Sequence, residues 1–320
     1  MQQILDEFEH RLQNQPDLRK FPEGLYAPMR YILQLPAKRV RPMLCLLSYQ
    51  VKNHEFTNAI YELAVSIELF HNFTLIHDDI MDNANLRRGL PTVHKKYNNN
   101  TAILAGDNML ALVYKKMVLA YPFLAHQMIS FFSNAAIEVC EGQMYDLILT
   151  EQEQVTIEEY LQMIRRKTAV LLGASMGLGA MASNAPDEIV QKFYQIGEFM
   201  GMGFQLQDDY FDVFADEQFG KKIGGDILEN KKTFLLISAL QEAIGSDYDD
   251  LIYWLRIHNK PEDKIFAVKS IFQRTGVGEK CIHMSNTYFQ HAYQLLQELE
   301  SYGNVENLRI YLQSIQNRIK

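Results

Sequence analysis

The stretch LAVSIELFHNFTLIHDDIMD, Leu63–Asp82, decides how the rest of the chain is read. Leu63, Ile67, Phe70, Thr74 and His77 recur at spacings of four and three, the period of one face of an α-helix. The period runs on into the acidic cluster, where Asp78 and Asp82 stand one turn apart on one helix face. Like charges at that spacing repel, a local cost unless a cation meets them. A solvated helix end is one explanation. A carboxylate pair for a hard cation is the other. Mg2+ prefers oxygen ligands, keeps several waters, and is commonly held by one or two carboxylates together with substrate phosphates.

A second copy of the pattern weighs against the bland explanation. Phe193, Ile196, Met200, Gly203 and Gln207 repeat the helical spacing and lead into Asp208-Asp209-Tyr210-Phe211-Asp212, again DDxxD. If the two helices run side by side, the clusters can face one another across a pocket. That geometry would suit a diphosphate bridged by several magnesium ions.

Outward from these two helices the same period persists. The spacing predicts helices near 24–35, 41–51, 56–84, 101–120, 123–149, 156–183, 187–216, 231–244, 261–273 and 277–300. Asn100 or Thr101 is the expected cap of one start, and Ala185-Pro186-Asp187 opens another. Asn-Gly or Asp-Gly hairpin turns between alternating apolar residues are absent. The expected fold class is all-α, and with no linker in sight residues 1–320 are read as one domain.

Composition narrows the function. Of 320 residues 48% are hydrophobic and 22% charged, enough to bury a substantial core. Lysine and arginine total 31 against 39 acids, a net charge of -8, the wrong balance for a nucleic-acid binder. Cys45, Cys140 and Cys281 form neither a CxxC pair nor a disulfide framework, which fits a reducing cytosol. The start MQQILDEFEH carries acid where a signal peptide carries base. The longest strongly apolar stretch, Ala169–Ala182, is 14 residues, against about 20 for a membrane span. A soluble, cytoplasmic protein without a stable membrane anchor is expected.

A magnesium–diphosphate site also needs cations for the remaining phosphate oxygens. Candidates are Lys38-Arg39-Val40-Arg41-Pro42, Arg87-Arg88-Gly89, Arg165-Arg166-Lys167-Thr168, Lys221-Lys222 and Lys231-Lys232. Arginine offers a bidentate fork and lysine a point charge. Any one pair alone reads as surface charge.

These motifs, in this order, resemble the trans-isoprenyl diphosphate synthases, the family of farnesyl, geranylgeranyl and longer polyprenyl diphosphate synthases. AKRVRP (37–42) is similar to the family's GKRxRP, and HNFTLIHDDIMDNANLRRGLPTVH (71–94) to its first aspartate-rich region. NTAILAGD, RRKTAVLLGAS, GFQLQDDYFD and GKKIGGDILENKKT follow in the family's order. The resemblance runs from about Pro28 to Thr233. It departs at Ala37, Ala169 and Asn230, where glycine is usual.

The resemblance implies a bundle of long, mostly antiparallel helices around a central cavity. It also implies a Mg2+-dependent, head-to-tail, all-trans condensation of isopentenyl diphosphate with dimethylallyl, geranyl or farnesyl diphosphate. By similarity Asp78, Asp82 and Asp208 hold magnesium, three ions per site, with Asp79, Asp209 and Asp212 completing or orienting that shell. Arg87, Lys167 and Lys221 match positions that meet the allylic diphosphate, and Lys231 matches a further lysine nearby. Lys38, Arg41, His71 and Arg88 match the isopentenyl diphosphate pocket. Thr168 and Gln205 match polar residues facing the developing carbocation. The family is typically homodimeric.

Product length should depend on the floor of the cavity. Phe73 lies five residues before Asp78, about 7.5 Å down a helix, with small Thr74 beside it and Phe70 a turn further. A bulky residue at Phe73 is similar to the short-chain enzymes, so a C20 product is expected, with C15 second. A class I terpene cyclase, a metal phosphohydrolase reading His77-Asp78 as an HD pair, and the regulatory subunit of a heteromeric synthase are the rival readings. DDYFD followed by Lys221 and Lys231 speaks against the cyclase, the second DDxxD against the hydrolase, and retention of both motifs against the subunit.

Overall fold

The structure is a computed structural model, and it describes residues 1–215, 224–257 and 259–317. Two compact units are distinguished. One comprises Met1–Ala135, Ala174–Tyr194 and Glu298–Tyr311, the other Ala136–Gly173, Gln195–Gln297 and Leu312–Lys320.

The first unit is built around α4 (Asn58–Met81), which is apolar nearly all round and buries Ile60, Leu63, Ala64, Ile67, Phe70 and Ile76. α4 passes a length-and-apolarity test for a membrane span, which the expectation drawn from 169–182 missed, yet 67% of that window is buried inside the protein. α1 (Gln2–Gln13), α2 (Glu23–Gln34) and α3 (Val40–Gln50) precede it. α1, unforeseen from the sequence, buries Phe8 and Leu12, one turn apart. α6 (Asn99–Ala120) packs along α4 and runs antiparallel to it. At one end His77 of α4 rests on Gly106 of α6, where an added Cβ would lie 2.4 Å from the ring. Towards the other, Lys116 Nζ of α6 donates to Glu62 Oε2 of α4 at 2.6 Å. The cap of α6 is Asn98, whose side chain accepts from the Thr101 N–H, two residues before the expected start.

Between α4 and α6 lies a hairpin that the all-helical expectation lacked. β1 (Leu86–Arg87) pairs antiparallel with β2 (Leu90–Pro91), followed by the short α5 (Val93–Lys96). Its turn residues Arg88 and Gly89 both take positive φ, 55° and 78°. That is the primed turn favoured in two-residue hairpins, made here with an arginine in the left-handed region.

The second unit receives α7 (Ala125–Glu151) from Ala136 onward, then α8 (Ile157–Ile164), opened by a Thr156–Glu159 capping box. A π-helical turn over Arg165–Ala169 follows, and α9 (Val170–Ala182) continues it, belonging to the first unit from Ala174 onward. The expected 156–183 helix is thus present but interrupted. The remaining described α-helices are α10 (Asp187–Phe214, in this unit from Gln195), α11 (Gly225–Leu228), α12 (Phe234–Glu242), α13 (Ser246–Leu255), α14 (Pro261–Arg274), α15 (Val277–Glu298, in this unit to Gln297) and α16 (Glu306–Gln316, in this unit from Leu312). Leu206, Leu235, Ile237, Leu251, Ile271 and Phe272 form the centre of this unit's apolar core. Cys45, Cys140 and Cys281 are free thiols.

Candidate active site

Both acidic clusters lie towards helix C-termini, Asp78–Asp82 at the end of α4 and Asp208–Asp212 in the last two turns of α10. The helix dipole is negative there, so carboxylates are disfavoured and cations favoured. Each motif divides its residues the same way. One aspartate faces inward: Asp79 is 1% exposed and Asp209 3%. Asp78, Asp82, Asp208 and Asp212 remain accessible.

In the first unit Asp79 receives Arg87 Nε at 2.9 Å to each oxygen and Arg87 Nη2 at 2.7 Å. Arg87 Nη2 also lies 4.0 Å from Asp78 Oδ2. Asp79 therefore anchors the hairpin arginine beside the metal-binding candidates. Behind them sits a cluster of cations. Arg41 Nη1 donates to His71 Nε2 at 3.2 Å, and Arg41 Nε is buried without a hydrogen-bond partner among the described residues. Burial, then Arg41, Arg88, Arg87 and Arg39, hold the His71 imidazole well below its ordinary range, so it is neutral. Burial, with Arg88, brings Arg41 down to about 10, against the opposing pull of Glu68. Arg39, left-handed at φ 48°, takes no part in the open site. It donates to Glu9 and to buried Glu68, each at 2.7 Å. Lys38 beside it is exposed. A crowd of cations with a buried orphan donor and a neutral histidine is short of an anion.

His77 belongs to packing rather than to this cluster. Its ring rests on Gly106 and meets Phe73 at 4.8 Å between centroids. Below the aspartates Phe73, partly exposed, packs at a tilt against buried Phe70, with centroids 5.5 Å apart. Phe70 meets Phe132 of α7 edge-on at 4.9 Å. Thr74 satisfies its hydroxyl on the His71 carbonyl.

In the second unit a pocket of about 80 Å³ is lined by Asp146, Tyr160, Lys167, Thr168, Gln205, Asp209, Lys231, Lys232 and Thr233 among others. Its polar side chains form a connected network. Thr168 Oγ1 donates to Gln205 Oε1 at 3.2 Å, Gln205 Nε2 to Asp209 Oδ1 at 3.1 Å, and the Tyr160 hydroxyl to Asp209 Oδ2. Burial pushes Asp209 up to about 7 against those hydrogen bonds. Lys167 Nζ bonds Asp146 at 2.5 Å, and Lys231 Nζ lies 3.6 Å from Asp226. Burial pulls the Lys231 ammonium down, but Asp226, Asp209 and Asp146 outweigh it and hold it above its usual range. Asp212 accepts from the Asp226 N–H at 2.9 Å and so pins the start of α11. The π-helical turn presents Lys167 and Thr168 to this pocket and rests on Gly142 of α7, where a Cβ would meet the Lys167 nitrogen at 2.2 Å.

The sequence had not pointed to Asp146, Tyr160, Asp226 or Glu68. Each is a lone residue whose partner is distant along the chain, except Asp226, five residues from Lys231. Of the other basic candidates, Arg165 is engaged by Glu138 and Glu198, and Arg166 lies over the Tyr145 ring. Lys221 and Lys222 fall outside the described residues.

The polyprenyl synthetase family matches residues 22–275. This chain belongs to that family. The synthetase is 40% identical over 225 residues to a geranylgeranyl pyrophosphate synthase of Geoglobus acetivorans, covering 70% of each chain. It is 32% identical to heptaprenyl diphosphate synthase component 2 of Geobacillus stearothermophilus, over 92% of each. A solved geranylgeranyl pyrophosphate synthase superposes with a TM-score of 0.90 at 35% identity, covering 99% of this chain and 96% of that one. The fold is accordingly the all-α isoprenoid synthase fold, and the synthetase is a trans-prenyltransferase that acts on isoprenoid diphosphates.

Proposed function

We propose that the synthetase condenses isopentenyl diphosphate with an allylic diphosphate and makes mainly the C20 geranylgeranyl product. The observation that carries this is the anion-deficient cluster of Arg41, Arg88 and neutral His71, a receptor for an anion that keeps its charge. Lys38 at its rim would add a point charge. The family match runs through residues of both compact units, which supports reading 1–320 as one synthase domain. A cytoplasmic homodimer with no stable membrane anchor completes the reading.

The donor set fits magnesium of one kind. Among the described residues no three His, Cys, Asp or Glu side chains converge to hold a metal by themselves. The carboxylate oxygens of Asp78, Asp82 and Asp208 suit a hard ion that keeps several waters and shares substrate phosphates. Asp78, Asp82 and Asp208 would hold it, three ions in all, with Asp212 at the edge and Asp79 and Asp209 as orienting residues. When bound, magnesium neutralises the charge that builds on the leaving diphosphate.

The protein's own residues supply the rest. Arg87, Lys167, Lys221 and Lys231 hold the allylic diphosphate and stabilise it as the C–O bond breaks and its electron pair leaves with the diphosphate. Thr168 and Gln205 turn oxygen atoms towards the carbocation. The homoallylic double bond attacks its C1, a C–C bond forms, and the proton next to the new cation passes to the released diphosphate. Phe73 and Phe70 stop the growing tail.

The test is product chromatography after incubating the purified protein with Mg2+, isopentenyl diphosphate and each allylic primer. C20 is expected as the main product, and Phe73→Ala should lengthen it. Mainly C30 or longer products from the wild-type protein, or an unchanged length in Phe73→Ala, would sink the floor argument. Activity only after a second protein is added would favour the subunit reading.

A further inference from the structure

Residues 229–233 connect α11 to α12 and bring Lys231, Lys232 and Thr233 to the pocket. At the head of this loop Asn230 takes a left-handed conformation, φ 53°. Glycine adopts it freely, and asparagine is among the few other residues that do so at modest cost. Here the Asn230 amide is held at both ends. Oδ1 accepts from Lys264 Nζ at 2.6 Å, and Nδ2 donates to the Leu255 carbonyl at 2.8 Å.

Lys264 is an unusual residue for its place. It is 1% exposed on the buried face of α14, in register with Val268, Ile271 and Phe272 of the apolar core. Burial lowers its ammonium below the ordinary range. A methionine or leucine would fill the space without burying a charge. The acceptor that the structure provides is Asn230. The next residue along the chain is Lys231, whose N–H donates to the Asp226 carbonyl at 2.9 Å and whose Nζ lies 3.6 Å from the Asp226 carboxylate.

We infer that Lys264 is a positioning residue. It holds the Asn230 amide, the amide holds the left-handed turn, and the turn aims the Lys231 ammonium at the pocket beside Asp209 and Lys167. Lys264 touches no substrate. The inference rests on the synthase reading, in which Lys231 meets the allylic diphosphate.

Two double-mutant cycles test it: Lys264→Met with Lys231→Ala, and Lys264→Met with Asn230→Gly. Each variant is characterised by steady-state kinetics with the allylic diphosphate varied at saturating isopentenyl diphosphate, and by thermal unfolding. Lys264→Met should raise the allylic KM about fivefold while kcat changes about twofold at most. In the K231A or N230G background the same substitution should leave KM unchanged, because the residue through which it acts is gone. A drop in thermal stability with unchanged KM, or an equal KM effect in the wild-type and K231A backgrounds, overturns the inference. Should K264M not fold, Asn230→Ala, which removes the amide and disfavours the left-handed turn, is measured in the wild-type and K231A backgrounds: a raised allylic KM in the first and an unchanged one in the second is expected, and equal effects in both overturn the inference. Absence of condensation by the wild-type protein is a different failure, and it removes the synthase reading itself.

Discussion

His71 separates a core histidine from a substrate group. In the free protein it is neutral because burial and four arginines oppose its protonation. Its folded pKa lies below the value of 6.5 that an unfolded chain shows. Above pH 6.5 neither state is protonated and nothing is lost. As pH falls through 6.5 the unfolded chain takes up a proton and the folded one does not, so stability falls. A bound diphosphate reverses the local field and should bring the imidazole back towards its ordinary range. Calorimetric titration of inorganic diphosphate at pH 6, in two buffers of different ionisation enthalpy, should therefore show proton uptake that His71→Ala abolishes. A His71 resonance titrating near 6.5 in the free protein would contradict this. Arg41→Ala should raise the isopentenyl diphosphate KM about ten- to a hundredfold, the worth of one charged hydrogen bond.

At the scale of elements the expected helices were legible where the apolar period was long, as in α4, α6 and α10. α1, α13 and α16 were missed although Phe8 with Leu12, and Leu308 with Leu312 and Ile315, keep helical spacing. These helices are short and carry charge on the other faces, so their pattern is thin. The β1–β2 hairpin escaped because its strands have two residues each and its turn is Arg-Gly rather than Asn-Gly or Asp-Gly. The π-helical turn had no signature of its own, since RRKTA reads as ordinary helix. Its support, however, can be tested. Gly142→Ala would drive a Cβ into the backbone of Arg166 and Lys167, at 2.2 Å from one nitrogen and 2.7 Å from one carbonyl carbon. Backbone cannot rotate aside, so the turn must shift, at a cost of about 1–3 kcal/mol. Thermal unfolding should show lower stability, and kcat should fall because Lys167 and Thr168 move with the turn. Gly24→Ala, with open space around it, is the control and should be neutral or slightly stabilising. Equal behaviour of the two variants would refute a packed junction.

For the molecule as a whole, the aspartates were readable because their spacing alone places Asp78 with Asp82, and Asp208 with Asp212, on shared helix faces. The same geometry turns Asp79 and Asp209 about 100° away, into the protein. What spacing cannot give is a partner far along the chain, and so Asp146 waited for Lys167, Tyr160 for Asp209 and Glu68 for Arg39. It also cannot say what covers an exposed helix face. On α7, Ile137, Met144, Tyr145 and Ile148 recur at helical spacing and are all exposed, Ile137 and Met144 at 57% each. An apolar stripe of that kind on one helix is where an association surface would lie. With the proposed homodimer as its occupant, the stripe would meet its own copy across a two-fold axis, where one substitution counts twice. Ile137→Glu together with Ile148→Glu therefore places four carboxylates in one interface, a like-charge cost of several kcal/mol. Sedimentation velocity at micromolar concentration should show a dimer for the wild-type protein and a monomer for the double variant, with circular dichroism unchanged. A variant that stays dimeric would move the interface to another face, and a monomeric wild-type protein would remove the homodimer from the reading altogether.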